Sequence, residues 1–227
     1  MFFKFFTLNS KRERLLKKTP PGPLHDYLST PFPEPKTPIE QVPILALDFE
    51  TTGLNAVDDK LLSMGYVDVQ GGHIKLASAE HYLINTNGQL KSDNVAIHQI
   101  TDSEKAQGLP LDQAIEKLLS ALAGKVMLAH FAKIEICFLQ EACRQLYGIT
   151  PVFPVIDTLA LAKKRLDMRS VNYDPSELRL VNLRDTYHMP GYYAHNALND
   201  AIATGELLLA DLAHHTGQYT TLKSVLR

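Results

Sequence analysis

Val42-Pro43-Ile44-Leu45-Ala46-Leu47-Asp48-Phe49-Glu50-Thr51-Thr52-Gly53 decides how this chain is read. A short aliphatic run that ends on a turn signal reads as a buried strand. Successive strand side chains point to opposite faces, so Asp48 and Glu50, two apart, project to the same side. Two acids held side by side repel each other unless something positive lies between them. A hard divalent cation with a preference for oxygen ligands is the usual solution. Asp-x-Glu alone is a weak signal. It gains weight when a distant segment supplies another carboxylate and a base.

His195-Asn196-Ala197-Leu198-Asn199-Asp200-Ala201 is such a segment. It runs into Ile202-Ala203-Thr204-Gly205-Glu206-Leu207-Leu208-Leu209-Ala210, whose apolar residues recur at helical spacing. Asp200 is expected in the first turns of that helix, aimed at the sheet. His195 precedes it by five residues, on the loop leading in. An unperturbed imidazole titrates near pH ~6.5, so it can accept a proton from water at neutral pH.

Between these two segments the pattern is α/β. Strands are expected at about 43–49, 61–69, 73–84, 125–130 and 152–156, the second and third joined by Gln70-Gly71-Gly72, a hairpin signal. Helical periodicity covers 111–122, 134–147 with Gly148 as its stop, 158–166, 176–186 and 197–213. A hairpin-led sheet followed by alternating strands and helices gives a mixed five-stranded sheet with helices on both faces. Ala129-His130-Phe131-Ala132-Lys133-Ile134-Glu135 ends one strand and opens a helix, which puts Glu135 in its first turn. Ile156-Asp157-Thr158 repeats the arrangement, with Asp157 better placed as a helix cap than as a ligand. His98, in Val95-Ala96-Ile97-His98-Gln99-Ile100-Thr101, is either a pocket wall or an ordinary loop residue.

With 227 residues the chain can hold one sizeable core. Its net charge of −2 advertises no global basic field, although clustered active-site acids would lower the total of a nucleic-acid enzyme too. The first 18 residues carry +5, from Lys4, Lys11, Arg12, Arg14, Lys17 and Lys18 against Glu13, so the remainder carries −7. Prolines 20, 21, 23, 31, 33, 35 and 38 follow. The expected organisation is a basic, Pro-rich arm and linker over 1–40, with a short amphipathic helix and no regular helix among the prolines, a domain over 41–215 and a tail over 216–227. The arm either packs on the domain or offers a docking or nucleic-acid-contacting segment. Cys137 and Cys143, the two cysteines, fall six apart on one predicted helix, which does not make them face each other. With no membrane-length apolar stretch and no signal peptide, a reducing cytoplasmic location and no membrane partner are expected.

Asp48-Phe49-Glu50-Thr51-Thr52-Gly53-Leu54 and His195 through Asp200, with Ala201 and Thr204, together resemble the DEDD superfamily of 3′→5′ exonucleases, His subtype. This is the family of the proofreading epsilon subunit of bacterial DNA polymerase III. The segments around His98 and Asp157-Thr158 also resemble recurring family segments. The likeness covers about residues 43–213, and several motifs in order are far more specific than one. It implies a ribonuclease H-like fold and two-metal phosphodiester hydrolysis with Mg²⁺ or Mn²⁺, the ions about 3.5–4 Å apart. On that likeness Asp48 bridges both ions, Glu50 and Asp200 complete the nucleophile-side ion, and Glu135 supports the second through water. His195 deprotonates the attacking water, and a 3′-terminal nucleotide leaves as a 5′-monophosphate. Thr51, Thr52, Gly53 and Leu54 hold the terminal nucleotide, with Leu54 against the bases and His98 lining the pocket. The chain departs from the family at Phe131, where Asn is usual, and at Glu135, where Asp is usual. Glu135 keeps the charge with one more methylene, and Phe131 stacks or packs.

The expected substrate is a single-stranded or frayed DNA 3′ end. Two alternatives stay open on the sequence: the same chemistry on RNA or short oligonucleotides, and a catalytically weak nucleic-acid-binding module.

Overall fold

The computed structural model describes residues 7–86, 100, 102–170, 172–215 and 217–227. His98 lies outside them. The central sheet comprises β1 (Ile44–Thr51), β2 (Leu61–Gln70), β3 (His73–Asn85), β4 (Leu109–Pro110), β5 (Val126–Ala129) and β6 (Val155–Asp157). Their order is β4-β3-β2-β1-β5-β6. β1, β2 and β3 pair antiparallel, while β5 runs parallel to β1 and β6 parallel to β5. The sheet is mixed, with one strand more than the five expected. The addition is β4, two residues parallel to the end of β3, too short to show a period in sequence. Gly71 and Gly72 turn the β2–β3 hairpin with φ of 61° and 74°, a conformation glycine adopts without a Cβ penalty.

β1 separates two cores. Leu45, Leu47 and Phe49 face a core completed by α2 (Pro23–Ser29), α4 (Leu111–Leu122) and α5 (Lys133–Tyr147). Ile44 and Ala46 face the other, with Leu161 of α6 (Thr158–Met168), Leu208 of α8 (Ala197–His214) and Leu222 and Val225 of α9 (Leu222–Val225). The remaining helices are α1 (Leu8–Leu16), α3 (Asp102–Ala106) and α7 (Leu180–Thr186). Helices therefore cover both faces, and strand alternation puts Asp48 and Glu50 on the α8 side.

Two expectations are corrected. The prolines do not exclude helix: α2 begins on Pro23, at a first-turn position where the missing N–H would have had no partner. Its Leu24, Tyr27 and Leu28 are buried against α4 and α5, and Tyr27 Oη donates to Val152 O at 3.1 Å. Arg12 of α1, itself buried, donates to Leu28 O. The single helix expected over 176–186 is two pieces, a 3-10 turn Pro175–Leu178 and α7. Arg179 between them is extended, with ψ 145°. Asp174 and Glu177 form a capping box that starts the 3-10 turn, and the extended Arg179 ends it. At the other terminus, Thr221 bridges to Pro38 and Leu226 to Ile156.

Candidate active site

Three carboxylates meet at the C-terminal half of β1. Ligand-capable oxygens of Asp48, Glu50 and Asp200 all lie within 4.8 Å of one another. The first two come from strand alternation. Asp200 comes from the first turn of α8, whose start is fixed by Asn196, the N-cap, accepting from Asn199 N at 3.1 Å. α8 comes this close because Gly65, which pairs with Asp48 across β1–β2, has no side chain. A Cβ there would lie under 3.0 Å from backbone atoms of Ala197 and Leu198. An isolated glycine inside the apolar run Leu61-Leu62-Ser63-Met64-Gly65-Tyr66 was the available sequence signal for a close backbone approach.

Glu135 comes from the opposite layer; it is not one of the three whose oxygens lie within 4.8 Å of one another, but its charge acts on Asp48. β5 is parallel to β1 in the register Ala46–Leu128, so the chain leaving β5 passes the end of β1 as it enters α5. Glu135 is 2% exposed. Its Oε2 has no hydrogen-bond partner among the described residues. Burial raises its pKa to about 8, with backbone N–H groups of Glu135 itself and Phe49 opposing the shift and the charges of Asp157 and Glu50 adding to it. Asp48 is pushed well up, first by burial and then by the charges of Glu135, Asp200 and Glu50. Asp200 is raised by burial, against the lowering effect of Tyr192, whose Oη donates to its Oδ1 at 2.7 Å. Backbone N–H groups of His195 and Asn196 also favour its ionised form. The burial and mutual charge of these acids thus disfavour their ionised forms. The donor set fits hard divalent cations: oxygen-only, clustered, and with one buried oxygen unsatisfied.

The other predicted residues distribute as follows. His195 is exposed on the loop entering α8, at φ 64°, a left-handed conformation unusual for a residue with a Cβ. Thr51 is buried and its hydroxyl donates to Gly53 O at 2.7 Å, shaping the turn after β1. Thr52 Oγ1 donates to Asp59 Oδ1 at 3.1 Å, and Asp59 Oδ2 accepts from Asn55 N at 2.9 Å. Asp59 therefore organises the loop that presents Leu54, which is 74% exposed. Phe131 is 41% exposed with φ 61°. Its N–H donates to Asp157 Oδ1 at 3.1 Å, the same oxygen that caps α6 through Leu159 N and Ala160 N. Asp157 is a cap. His130 follows β5 and its Nδ1 lies 2.8 Å from Thr158 Oγ1. The two cysteines are free, Cys143 buried and Cys137 half-buried. Gly65, Asp59, Tyr192 and Arg184 were not singled out from sequence. For the last three no pattern marks them, because their partners lie on other segments.

The exonuclease family model RNase_T matches residues 45–208. The chain is 32% identical over 165 residues to DNA polymerase III PolC-type of Thermotoga maritima, a match covering 73% of this chain and 11% of the polymerase. The chain therefore spans about a ninth of that relative's length. DNA polymerase III subunit epsilon of Treponema pallidum is 27% identical over 181 residues, covering 79% of this chain and 80% of the subunit. The fold is similar to that of E. coli Exonuclease I in complex with a 5cy-dT13 oligonucleotide, with TM-score 0.65 at 15% identity over 77% of this chain and 41% of that one. No helix of the described residues is long and apolar enough to cross a membrane.

Proposed function

The chain belongs to the RNase_T exonuclease family, and on that premise we propose that it hydrolyses DNA from the 3′ end, releasing 5′-mononucleotides with the help of two divalent cations. The observation carrying this reading is the meeting of Asp48, Glu50 and Asp200 inside the matched region, with Glu135 buried beside them. Asp48, Glu50 and Asp200 would hold the ions, with Glu135 supporting them. Mg²⁺ or Mn²⁺ there would activate water and stabilise charge on the reacting phosphate.

The protein's own residues do the rest. His195, exposed at the entry to α8, accepts the proton of the attacking water. Its left-handed backbone turns the chain sharply just before Asn196 caps the helix, so the imidazole and Asp200 are presented from one short segment. The turn at Thr51–Gly53 offers backbone groups to the terminal nucleotide. Exposed Leu54 and Phe131 supply apolar surface for bases, a mode of binding that tolerates any sequence. A single-stranded or frayed end suits that surface, because in an intact duplex stacking covers the faces of the bases. The epsilon relative makes a polymerase a candidate partner, with the basic exposed residues of α1 (Lys11, Arg14) and Lys17 and Lys18 as the surface to test.

The test is degradation of 5′-labelled, matched single-stranded DNA and RNA oligonucleotides in Mg²⁺, Mn²⁺ or EDTA, with Asp48→Ala alongside. A metal-dependent ladder receding from the 3′ end, faster on DNA and absent in the variant, is the expected result. A faster ladder on RNA would change the substrate. Undiminished cleavage by Asp48→Ala would remove the two-ion proposal.

A further inference from the structure

Asp200 must keep its carboxylate turned toward two other acids that repel it, and something has to hold it there. Both of its oxygens are engaged. Oδ2 accepts from the backbone N–H of Asn196, the N-cap of the same helix, at 3.2 Å. Oδ1 accepts from Tyr192 Oη at 2.7 Å, and this contact is specific to the loop between α7 and α8. Each carboxylate oxygen has capacity for a further ligand beyond these bonds.

Tyr192 is itself held. The guanidinium of Arg184 lies over its ring, 4.8 Å from the centroid. Arg184 is buried on α7. Its Nη1 donates to Ala203 O at 3.0 Å and to Glu206 Oε2 at 2.6 Å, both on α8. Its Nη2 donates to Pro190 O at 3.1 Å, two residues before Tyr192. The contacts close a ring: Asp200 to Tyr192, Tyr192 to Arg184, Arg184 to the next turn of α8, and α8 back to Asp200. A planar five-donor fork is suited to this, since it can grip two carbonyls and a carboxylate while its face covers an aromatic ring.

We infer that Tyr192 is a positioning residue for Asp200, which fixes the carboxylate for cation binding, and that Arg184 sets Tyr192 in place. The inference rests on the metal reading of the site given above. Tyr192→Phe isolates the hydroxyl, because the ring and its stacking on Arg184 remain.

The experiment is calorimetric titration of the full chain with Mn²⁺, for wild type, Tyr192→Phe, Asp200→Asn and the double variant, with thermal melts in EDTA as a check on folding. Groups that orient a metal ligand typically carry about a 10–100-fold effect on affinity. The expected result is about 10-fold weaker Mn²⁺ binding by Tyr192→Phe, with its EDTA melt within a few degrees of wild type. Cleavage at limiting Mn²⁺ should fall with it and recover at saturating Mn²⁺, with KM for the oligonucleotide unchanged. In the Asp200→Asn background the Tyr192 change should have no further effect. Arg184→Lys, which keeps the charge and loses the fork, should weaken Mn²⁺ binding in the same direction. Wild-type Mn²⁺ affinity in Tyr192→Phe, or an undiminished loss in the Asp200→Asn background, would overturn the positioning role. Absence of Mn²⁺ binding by wild type would instead overturn the metal reading itself, so the two failures are distinguishable.

Discussion

Gly65→Ala is the sharpest perturbation the structure offers, because a single methyl separates stability from chemistry. Gly65 lies opposite Asp48 in the β1–β2 ladder, with the backbone of Ala197 and Leu198 directly over it. The added Cβ would fall under 3.0 Å from that backbone, whereas ordinary contact begins near 3.4 Å. The obstruction is main chain on both sides, so no rotamer change relieves it. The sheet and the start of α8 must part by on the order of 1 Å, and Asp200 lies two residues beyond Leu198. Two opposite effects bear on stability. Alanine restricts the unfolded chain, stabilising by about 0.4–1 kcal/mol where its backbone conformation suits. Overpacking costs about 1–3 kcal/mol. The second should win, giving a net loss of about 1–2 kcal/mol and a fall in melting temperature of about 2–8 °C.

The effect on cleavage should be larger in proportion. A misplacement of about 1 Å at a reacting centre can cost about 100-fold in rate, equivalent to ~2.7 kcal/mol in the barrier. The variant should therefore be folded at 25 °C yet cleave an end-labelled oligonucleotide about 100-fold more slowly, with weakened Mn²⁺ binding. The assay pairs thermal melting with single-turnover cleavage at saturating Mn²⁺. A folded Gly65→Ala protein with wild-type rate would refute the claim that close approach of α8 assembles the site.

Other outcomes follow from the same geometry. Burial raises the Glu135 pKa to about 8, above the ordinary 4.5, so it contributes stability that is present in full below about pH 4.5 and lost as pH rises toward 8. Asp48 and Asp200, also raised, add in the same sense. In EDTA the melting temperature should fall between pH 5 and 8, and Glu135→Gln should flatten that slope; an unchanged slope in the variant would count against it. His195→Ala should slow cleavage by about 10²–10⁴-fold while calorimetry shows Mn²⁺ binding largely kept, whereas equal loss of both would make His195 a ligand. Asp211, buried on α8, accepts from Arg165 Nη1 and Tyr187 Oη, each at 2.6 Å. Asp211→Ala leaves the Arg165 guanidinium without its carboxylate and should cost about 3 kcal/mol by denaturant melts, with the rate per folded molecule unchanged.

What could be read from the sequence was whatever depends on spacing along one segment. Asp48 and Glu50 share a face because they are two apart on a strand. Gly71-Gly72 turns a hairpin, and Gly148, at φ 69°, ends α5 as expected. Failures came where a local rule was applied without its position. Pro23 forbids helix in an interior and begins one at N1. β4 exists only because Ile84 and Asn85 are there to pair with it. Tyr192 and Arg184 act through partners on other elements, and an unaligned sequence records no such pairings. Gly65 was legible in principle, but a glycine in a strand names no partner until α8 is seen above it.

The departures at Phe131 and Glu135 are best understood together, through Asp157. One oxygen of that buried carboxylate accepts from Leu159 N, Ala160 N and Phe131 N. The first two contacts cap α6. The third fixes the backbone where β5 hands over to α5, and does so with a bulky residue at φ 61°. A left-handed, non-glycine residue of this kind costs about 1–3 kcal/mol and persists only where its surroundings determine it. Here the surroundings are a cap that α6 needs anyway, so the conformation is held by an interaction already present. The turn it creates sends the Phe131 ring into solvent and starts α5 two residues later, placing Glu135 in the first helical turn. There the longer side chain lies buried beside Phe49 of β1, with one oxygen that has no hydrogen-bond partner among the described residues. With the extra methylene the acid still acts electrostatically on Asp48, although it is not one of the three whose oxygens lie within 4.8 Å of one another. The carboxylate at this position shares its electrostatic surroundings with Asp48 and Glu50.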